Sequence, residues 1–323
     1  MDGMTQSPAS PRGAVQDNPP PVGPLVKGRR AAAAWAIASL VGNMGLILTG
    51  ALVRLTESGL GCPTWPKCTA DSIIPADFGL HGIIEFGNRM LTFLLAAFAI
   101  GTYIAVRRAR DSEGRRRVDI IRLAFICGLG IPAQAVLGGI TVLTQLNPYV
   151  VASHLLVSVG LIVLLVLLVR RIRDMRPEPV SRPALVWSRI TFWLVMATMV
   201  LGTLVTGSAP HGGDADAIRT GFVLEVVAKA HAWISYAVLG AVIVTLVLTR
   251  RRQVVWVLIG VIAQAAIGYA QYFSGLPIWI IVLHMIGVAV VAALSANMVF
   301  SLGRPASFQR SGQPAPAGDA ARV

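Results

Sequence analysis

The sequence predicts an all-α integral membrane protein of about eight transmembrane helices, arranged as two repeated four-helix bundles. Three observations carry that prediction. Of the 323 residues, 55% are hydrophobic and only 13% charged, against about 25% charged in a soluble domain. Eight apolar runs each approach or exceed the ~20 residues a helix needs to cross a bilayer. Motifs in the first half recur, in order, in the second.

The runs lie near 31–53, 82–106, 118–142, 149–169, 187–207, 223–249, 253–273 and 277–302. Only helices and closed barrels satisfy their backbone polar groups in lipid, and the alternating pattern of a barrel strand is absent. Basic residues sort by loop. Lys27, Arg29 and Arg30 precede the first run. Arg107, Arg108, Arg110, Arg115, Arg116 and Arg117 separate the second from the third. Arg170, Arg171, Arg173, Arg176 and Arg182 follow the fourth, and Arg250, Arg251 and Arg252 follow the sixth. The intervening loops hold only Arg54, Lys67 and Arg219. An excess of Lys and Arg marks the cytoplasmic side. Both termini are therefore expected in the cytoplasm of a multi-pass bacterial plasma-membrane protein, with lipid as its solvent.

The same sorting accounts for the net charge of +13 without nucleic acid, because no basic face exists apart from these loops. Residues 1–26 and 303–323, rich in Pro, Gly, Ser and Ala, are expected to be disordered cytoplasmic ends. The N-terminal stretch lacks the apolar core of a signal peptide. Between the ends, residues 27–176 make the first bundle and 177–302 the second.

The repeat is read from three ordered matches. Ala133-Gln134-Ala135 with Gly138 answers Ala263-Gln264-Ala265 with Gly268, and His154 answers His284, all at an offset of 130 (264 − 134; 284 − 154). Gly50-Ala51-Leu52-Val53 resembles Gly202-Thr203-Leu204-Val205. Each half has an even number of spans, so the halves enter the membrane the same way up, related by an axis along its normal.

Three of the five histidines, His154, His231 and His284, lie inside apolar runs. Ionisable residues there are costly and mark function. All three sit in the outer half of the membrane. Paired imidazoles across a four-helix bundle suit haem iron, whereas zinc would want Cys, Asp or Glu at close spacing. His81 and His211 fall near the outer surface. In the second run Glu85 lies about one turn inside the membrane, with Arg89 at i+4 as a partner on the same face. Two readings stand: a structural ion pair, and a proton-handling carboxylate beside a redox centre. Cys62 and Cys68, six residues apart in the first outer loop, face an oxidising compartment where a disulfide forms, as a structural staple or as a redox pair. Cys127 reads as a small apolar core residue.

The stretch Leu52-Val53-Arg54-Leu55-Thr56-Glu57-Ser58-Gly59-Leu60-Gly61-Cys62-Pro63-Thr64-Trp65-Pro66-Lys67-Cys68 closely resembles the signature of the haem A synthase family. So do Ile84-Glu85-Phe86-Gly87-Asn88-Arg89-Met90, Pro210-His211-Gly212-Gly213-Asp214 and the placement of His154, His231 and His284. The resemblance covers about residues 30–300. It implies an oxidoreductase that converts a methyl group of haem O to a formyl group, giving haem A for cytochrome oxidase. It implies a resident haem b on His231 and His284, and a substrate haem on His154 and the Glu85 motif. Glu85 is implied to be required for the chemistry, with oxygen drawn from water, and the loop cysteines map onto Cys62 and Cys68. Arg54 and Arg89 suit haem propionates, because a guanidinium matches a carboxylate; anchoring at the interface is their other reading. Haem O synthase and oxidase assembly factors are implied as partners, with an unnamed electron acceptor.

One residue departs from the pattern. Asn88 stands where many members carry His, and Asn is a poor ligand for haem iron. The expectation is that His154 alone ligates in that half, with Asn88 as a hydrogen bonder. Two other classes compete with the enzyme. A non-enzymatic di-haem electron carrier would use the same histidines, and a repeat-built transporter would use the same symmetry. Glu85 and the long outer-loop motif favour the enzyme.

Overall fold

The computed structural model describes residues 23–75 and 79–304. Among them are eight long helices: α1 (Arg29–Leu55), α2 (Leu80–Arg108), α3 (Val118–Leu143), α4 (Pro148–Ile172), α5 (Arg182–Ser208), α6 (Leu224–Thr249), α7 (Arg252–Phe273) and α8 (Ile278–Ser301). All eight are long and apolar enough to cross a membrane. The chain is a multi-pass, all-α membrane protein. Two residues of β1 (Glu178–Pro179) pair in parallel with two of β2 (Leu302–Gly303).

Local chemistry sets the helix ends. The Asn147 side chain accepts from the Tyr149 N–H at 3.0 Å and Pro148 opens α4; Ser181 caps α5 on the Ala184 N–H ahead of Pro183. Proline suits the first turn, where its missing N–H has no partner to lose. Left-handed residues stop the chain at Glu57 after α1, at Gln145 and Leu146 after α3, and at Arg250 after α6. The helices also run past the apolar cores into their basic flanks, as α5 does from Arg182 where the apolar run begins near 187.

Helix α1 packs on α2, α2 on α3, α3 on α4, and α4 returns to α1; α5 to α8 close a second ring in the same manner. Helices α1, α4, α5 and α8 form the junction. Leu95, Ile120, Leu123, Leu165 and Leu168 fill one core, and Val238, Val242, Val254, Val257 and Met298 another. The junction is built from small residues of α8, Ala289, Ala292 and Ala296, against Ile47, Val159, Ile162 and Val166. Lipid is as apolar as leucine, so close packing of small side chains, not escape from water, holds such helices together. Large apolar side chains such as Phe93, Trp193, Trp233 and Val247 point outward instead, toward lipid.

Buried positions recur at fixed offsets. Ala124, Cys127 and Ile131 of α3 and Val254, Val257 and Val261 of α7 are all buried, 130 residues apart (254 − 124). A buried hydroxyl pair joins Ser39 to Thr102 at 3.0 Å across α1 and α2, and another joins Thr191 to Thr245 at 2.9 Å across α5 and α6. Cys127 is the buried core residue its setting suggested.

Residues 25–27 and Gly303, at the edges of the ends expected to be disordered, take part in the fold. Leu25 is buried in the first core. The Val26 and Lys27 N–H groups donate to the Arg110 carbonyl at 2.8 and 3.2 Å, and Arg110 N–H returns to the Lys27 carbonyl. These bonds and the buried leucine offset the cost of ordering a few residues, which composition alone does not register. Gly303 likewise accepts from the Val180 N–H at 3.0 Å. Residues 1–22 and 305–323 lie outside the described residues.

Candidate functional site

At the outer end of the first ring, Glu85 sits five residues into α2 and is 4% exposed. Both its oxygens are held. Oε2 accepts from the Cys62 N–H at 2.6 Å, and Oε1 accepts from Arg89 Nε at 3.1 Å and Nη2 at 2.5 Å. Arg89 is spent on the same loop: Nη2 also donates to the Cys62 carbonyl at 2.8 Å, and Nη1 to the carbonyls of Thr64 and Lys67 at 3.0 and 3.2 Å. The helix places Arg89 one turn from Glu85, as the i+4 spacing predicts. Of the two roles expected for Arg89, the ion pair is the one its geometry serves, since none of its nitrogens is left for a propionate.

Cys62 and Cys68 are joined as a disulfide, with Cα atoms 4.4 Å apart and both residues buried. The loop they close presses on two helices, α2 and α3. A β-carbon at Gly61 would stand 2.5 Å from the His81 carbonyl oxygen, so only glycine fits there. The Trp65 ring fills the place where a side chain on Gly139 of α3 would be. Ser58 Oγ and His81 Nδ1 lie 3.0 Å apart, which ties His81 to the loop and leaves it outside the ring. His211 lies in the outer loop between α5 and α6.

The three intramembrane histidines are positioned alike. His154 and His284 each sit six residues into their helices, α4 and α8 (154 − 148; 284 − 278), and His231 sits seven into α6 (231 − 224). Each has its Cε1 against a glycine of a neighbouring helix, 3.2–3.4 Å from where a β-carbon would stand: Gly138 for His154, Gly202 for His231, Gly268 for His284. Gln134 Nε2 donates to the His154 carbonyl at 3.2 Å and also to Ser158 Oγ; Gln264 Nε2 donates to the His284 carbonyl at 3.0 Å. His231 Nδ1 lies 3.0 Å from the Thr198 carbonyl. A carbonyl only accepts, so Nδ1 carries the proton and Nε2 keeps its lone pair for a metal. The Nδ1 atoms of His154 and His284 are buried without a hydrogen-bond partner, an uncommon state for a buried polar atom.

Arg54, in the last turn of α1, crosses the junction and donates to the Thr206 carbonyl of α5. Arg219 donates to the Pro210 carbonyl and adds a second positive charge close by. Among the described residues neither guanidinium makes an ion pair. Asn88 faces α1, its Oδ1 accepting from Thr49 Oγ1 at 2.7 Å. Among the described residues no three His, Cys, Asp or Glu side chains converge on a metal-ion site. A surface hollow along α5, lined by Val186, Arg189, Ile190, Trp193 and Leu194, contains none of these residues.

Sequence reasoning singled out the histidines, Glu85 and the cysteines. It missed the Thr198 carbonyl and the Trp65 insertion, and it read Gln134 and Gln264 only as repeat markers. A glutamine one turn before a glycine, on both α3 and α7, was the available signal.

The sequence pattern of the COX15-CtaA family, described as cytochrome oxidase assembly protein, matches residues 33–296. That range takes in all but the outermost turns of α1 and α8. The chain belongs to this family. Among its relatives, a haem A synthase of Geobacillus thermodenitrificans is 36% identical over 110 residues, 34% of this chain and 32% of the relative. One from Lysinibacillus sphaericus is 32% identical over 139 residues, 42% of this chain and 44% of the relative. A third, from Halalkalibacterium halodurans, is 26% identical over 289 residues, 82% of this chain and 94% of the relative. The match thus spans about a third of the length of the first of these, and nearly all of the last.

Proposed function

We propose that this member of the cytochrome oxidase assembly family is a haem A synthase, with haem O as substrate and a resident haem b. The observation that carries the reading is the contrast in equipment between the rings. Glu85, gripped by the disulfide loop and Arg89, shares a ring with His154, whereas the other ring has His231 and His284 and no such carboxylate. The imidazoles suit porphyrin iron: their edges lie close over glycines of the neighbouring helices, and His231 Nε2 is free to ligate. A resident haem b on His231 and His284 would supply a one-electron redox centre whose iron is closed to substrate.

Taking a methyl group to a formyl group removes four electrons and four protons and adds one oxygen, which we assign to water. Positive charge develops on the methyl carbon as electrons leave. The Glu85 carboxylate would stabilise it in this low-dielectric setting and then take a proton from the attacking water. The loop and Arg89 hold Glu85 for that task, so Arg89 acts as a positioning residue. Arg54, with no acidic partner among the described residues, would take a propionate at the outer surface.

The two rings are read as copies of one unit, inserted the same way up in the bacterial plasma membrane, with both termini in the cytoplasm. Basic residues gather at the ends opposite Glu85 and the disulfide, which supports that orientation. Haem O synthase and oxidase assembly factors remain the partners the family suggests.

Haem extraction with mass analysis tests the activity. In a host that makes haem O but no haem A, the full chain is expected to give haem A or its hydroxymethyl intermediate. Haem b alone, with haem O unconverted, would overturn the enzyme and leave a di-haem electron carrier.

A further inference from the structure

Three helix pairs set an imidazole over a glycine, as described above, and the fourth pair, α1 with α2, does not. Its register against α5 and α6 is fixed by the buried hydroxyls. Ser39 with Thr102 corresponds to Thr191 with Thr245, an offset of 152 from α1 to α5 (191 − 39) and of 143 from α2 to α6 (245 − 102). Buried residues agree: Ala32, Ala36, Asn43 and Ala51 fall on Ala184, Ser188, Val195 and Thr203, all buried too. The same offsets bring Gly50 onto Gly202 and Asn88 onto His231 (202 − 50 = 152; 231 − 88 = 143). Asn88 therefore stands where the second ring has an imidazole.

The side chain does not substitute for that imidazole. Its oxygen accepts from Thr49, and its remaining polar atom is an NH2 group, which donates hydrogen bonds and offers no lone pair to iron. A β-carbon at Gly50 would meet nothing within 4 Å, whereas one at Gly202 would press on His231 at 3.2 Å.

We propose that haem iron in the first ring has one protein ligand, His154, and an open face beside Gly50 and Asn88 that binds a diatomic ligand. The proposal rests on reading that ring as the substrate-haem site. The Asn88 NH2 group, which has no hydrogen-bond partner among the described residues, is the donor available on that face.

Carbon monoxide is the probe. The full chain is purified with its haems, which are counted by extraction, then reduced and exposed to the gas. With two haems per chain, about half of the haem is expected to form a carbonyl complex, since two histidines close the other iron. Asn88→His is expected to abolish the complex while both haems stay bound. Asn88→Ala, which needs no room for a ring, is expected to keep the complex but shift its C–O stretching frequency. Two haems that are both inert to carbon monoxide would overturn the proposal, even if haem O is converted. So would a carbonyl complex undiminished by Asn88→His. A chain that holds only the haem of His231 and His284 would overturn the substrate-site reading, and the proposal with it.

Discussion

Helix α2 and helix α6 hold corresponding places in their rings, yet one stretch of five residues differs throughout. Glu85, Asn88 and Arg89 of α2 fall on Ala228, His231 and Ala232 of α6 at the offset of 143 (228 − 85). One helix carries a carboxylate, an amide and a guanidinium beneath a disulfide loop. The other carries an imidazole between alanines, with Lys229 turned to an exposed ion pair with Glu225. A single scaffold thus supports two kinds of site. On α2, Glu85 and Arg89 are bonded in a closed set with the loop; on α6, one imidazole is oriented by a backbone carbonyl.

The largest expected effect comes from removing the carboxylate at Glu85, where α6 has Ala228. Glu85→Gln keeps the shape and one acceptor for the Cys62 N–H but abolishes the base. Haem content is expected to hold while haem A formation falls by about 10²–10⁴-fold, the usual contribution of a positioned acid–base group. Equal rates in the two proteins would erase the chemical distinction between the rings.

A smaller effect is expected from the loop. Cys62→Ser opens a ring whose closure contributes about 2 kcal/mol in the chain-entropy account, and it loosens the backbone that grips Glu85. Haem A formation should fall several-fold, and the haem held by His231 and His284 should keep its spectrum. Loss of that spectrum would show that the loop supports both rings.

The mildest test compares two glycines. Gly202→Ala places a β-carbon 3.2 Å from His231 Cε1, so the ring must give by a few tenths of an ångström and the spectrum of its haem should shift. Gly50→Ala meets nothing within 4 Å and should leave the apo-protein's melting temperature within a few degrees of the parent. A larger loss of stability at Gly50 than at Gly202 would contradict the correspondence drawn between them.

Much of this was legible in the chain. Hydropathy located all eight helices, because the bilayer imposes one length and one composition on each. The offset of 130 was visible because α3 to α4 and α7 to α8 are joined by turns of equal length. The correspondence of Asn88 with His231 was not visible. The first outer loop is longer by nine residues (152 − 143), the insertion that includes the disulfide, and no single offset spans it. The grip on Glu85 was hidden for a related reason: the Cys62 N–H reaches it across 23 residues of chain, a contact made by the folded loop. Leu25 was misjudged because its polar neighbours masked one well-buried side chain.

Arg54 ties α1 to Thr206 of α5 near the outer surface. At the opposite end the buried Arg170 of α4 donates to Asn297 of α8 at 2.7 Å. The rings are therefore pinned to each other at both ends of their shared wall. Electron tunnelling weakens exponentially with separation, so a pair of redox centres is only as dependable as the spacing between them. Braced near both ends, the two rings hold one spacing, so redox centres placed in them would keep a fixed separation.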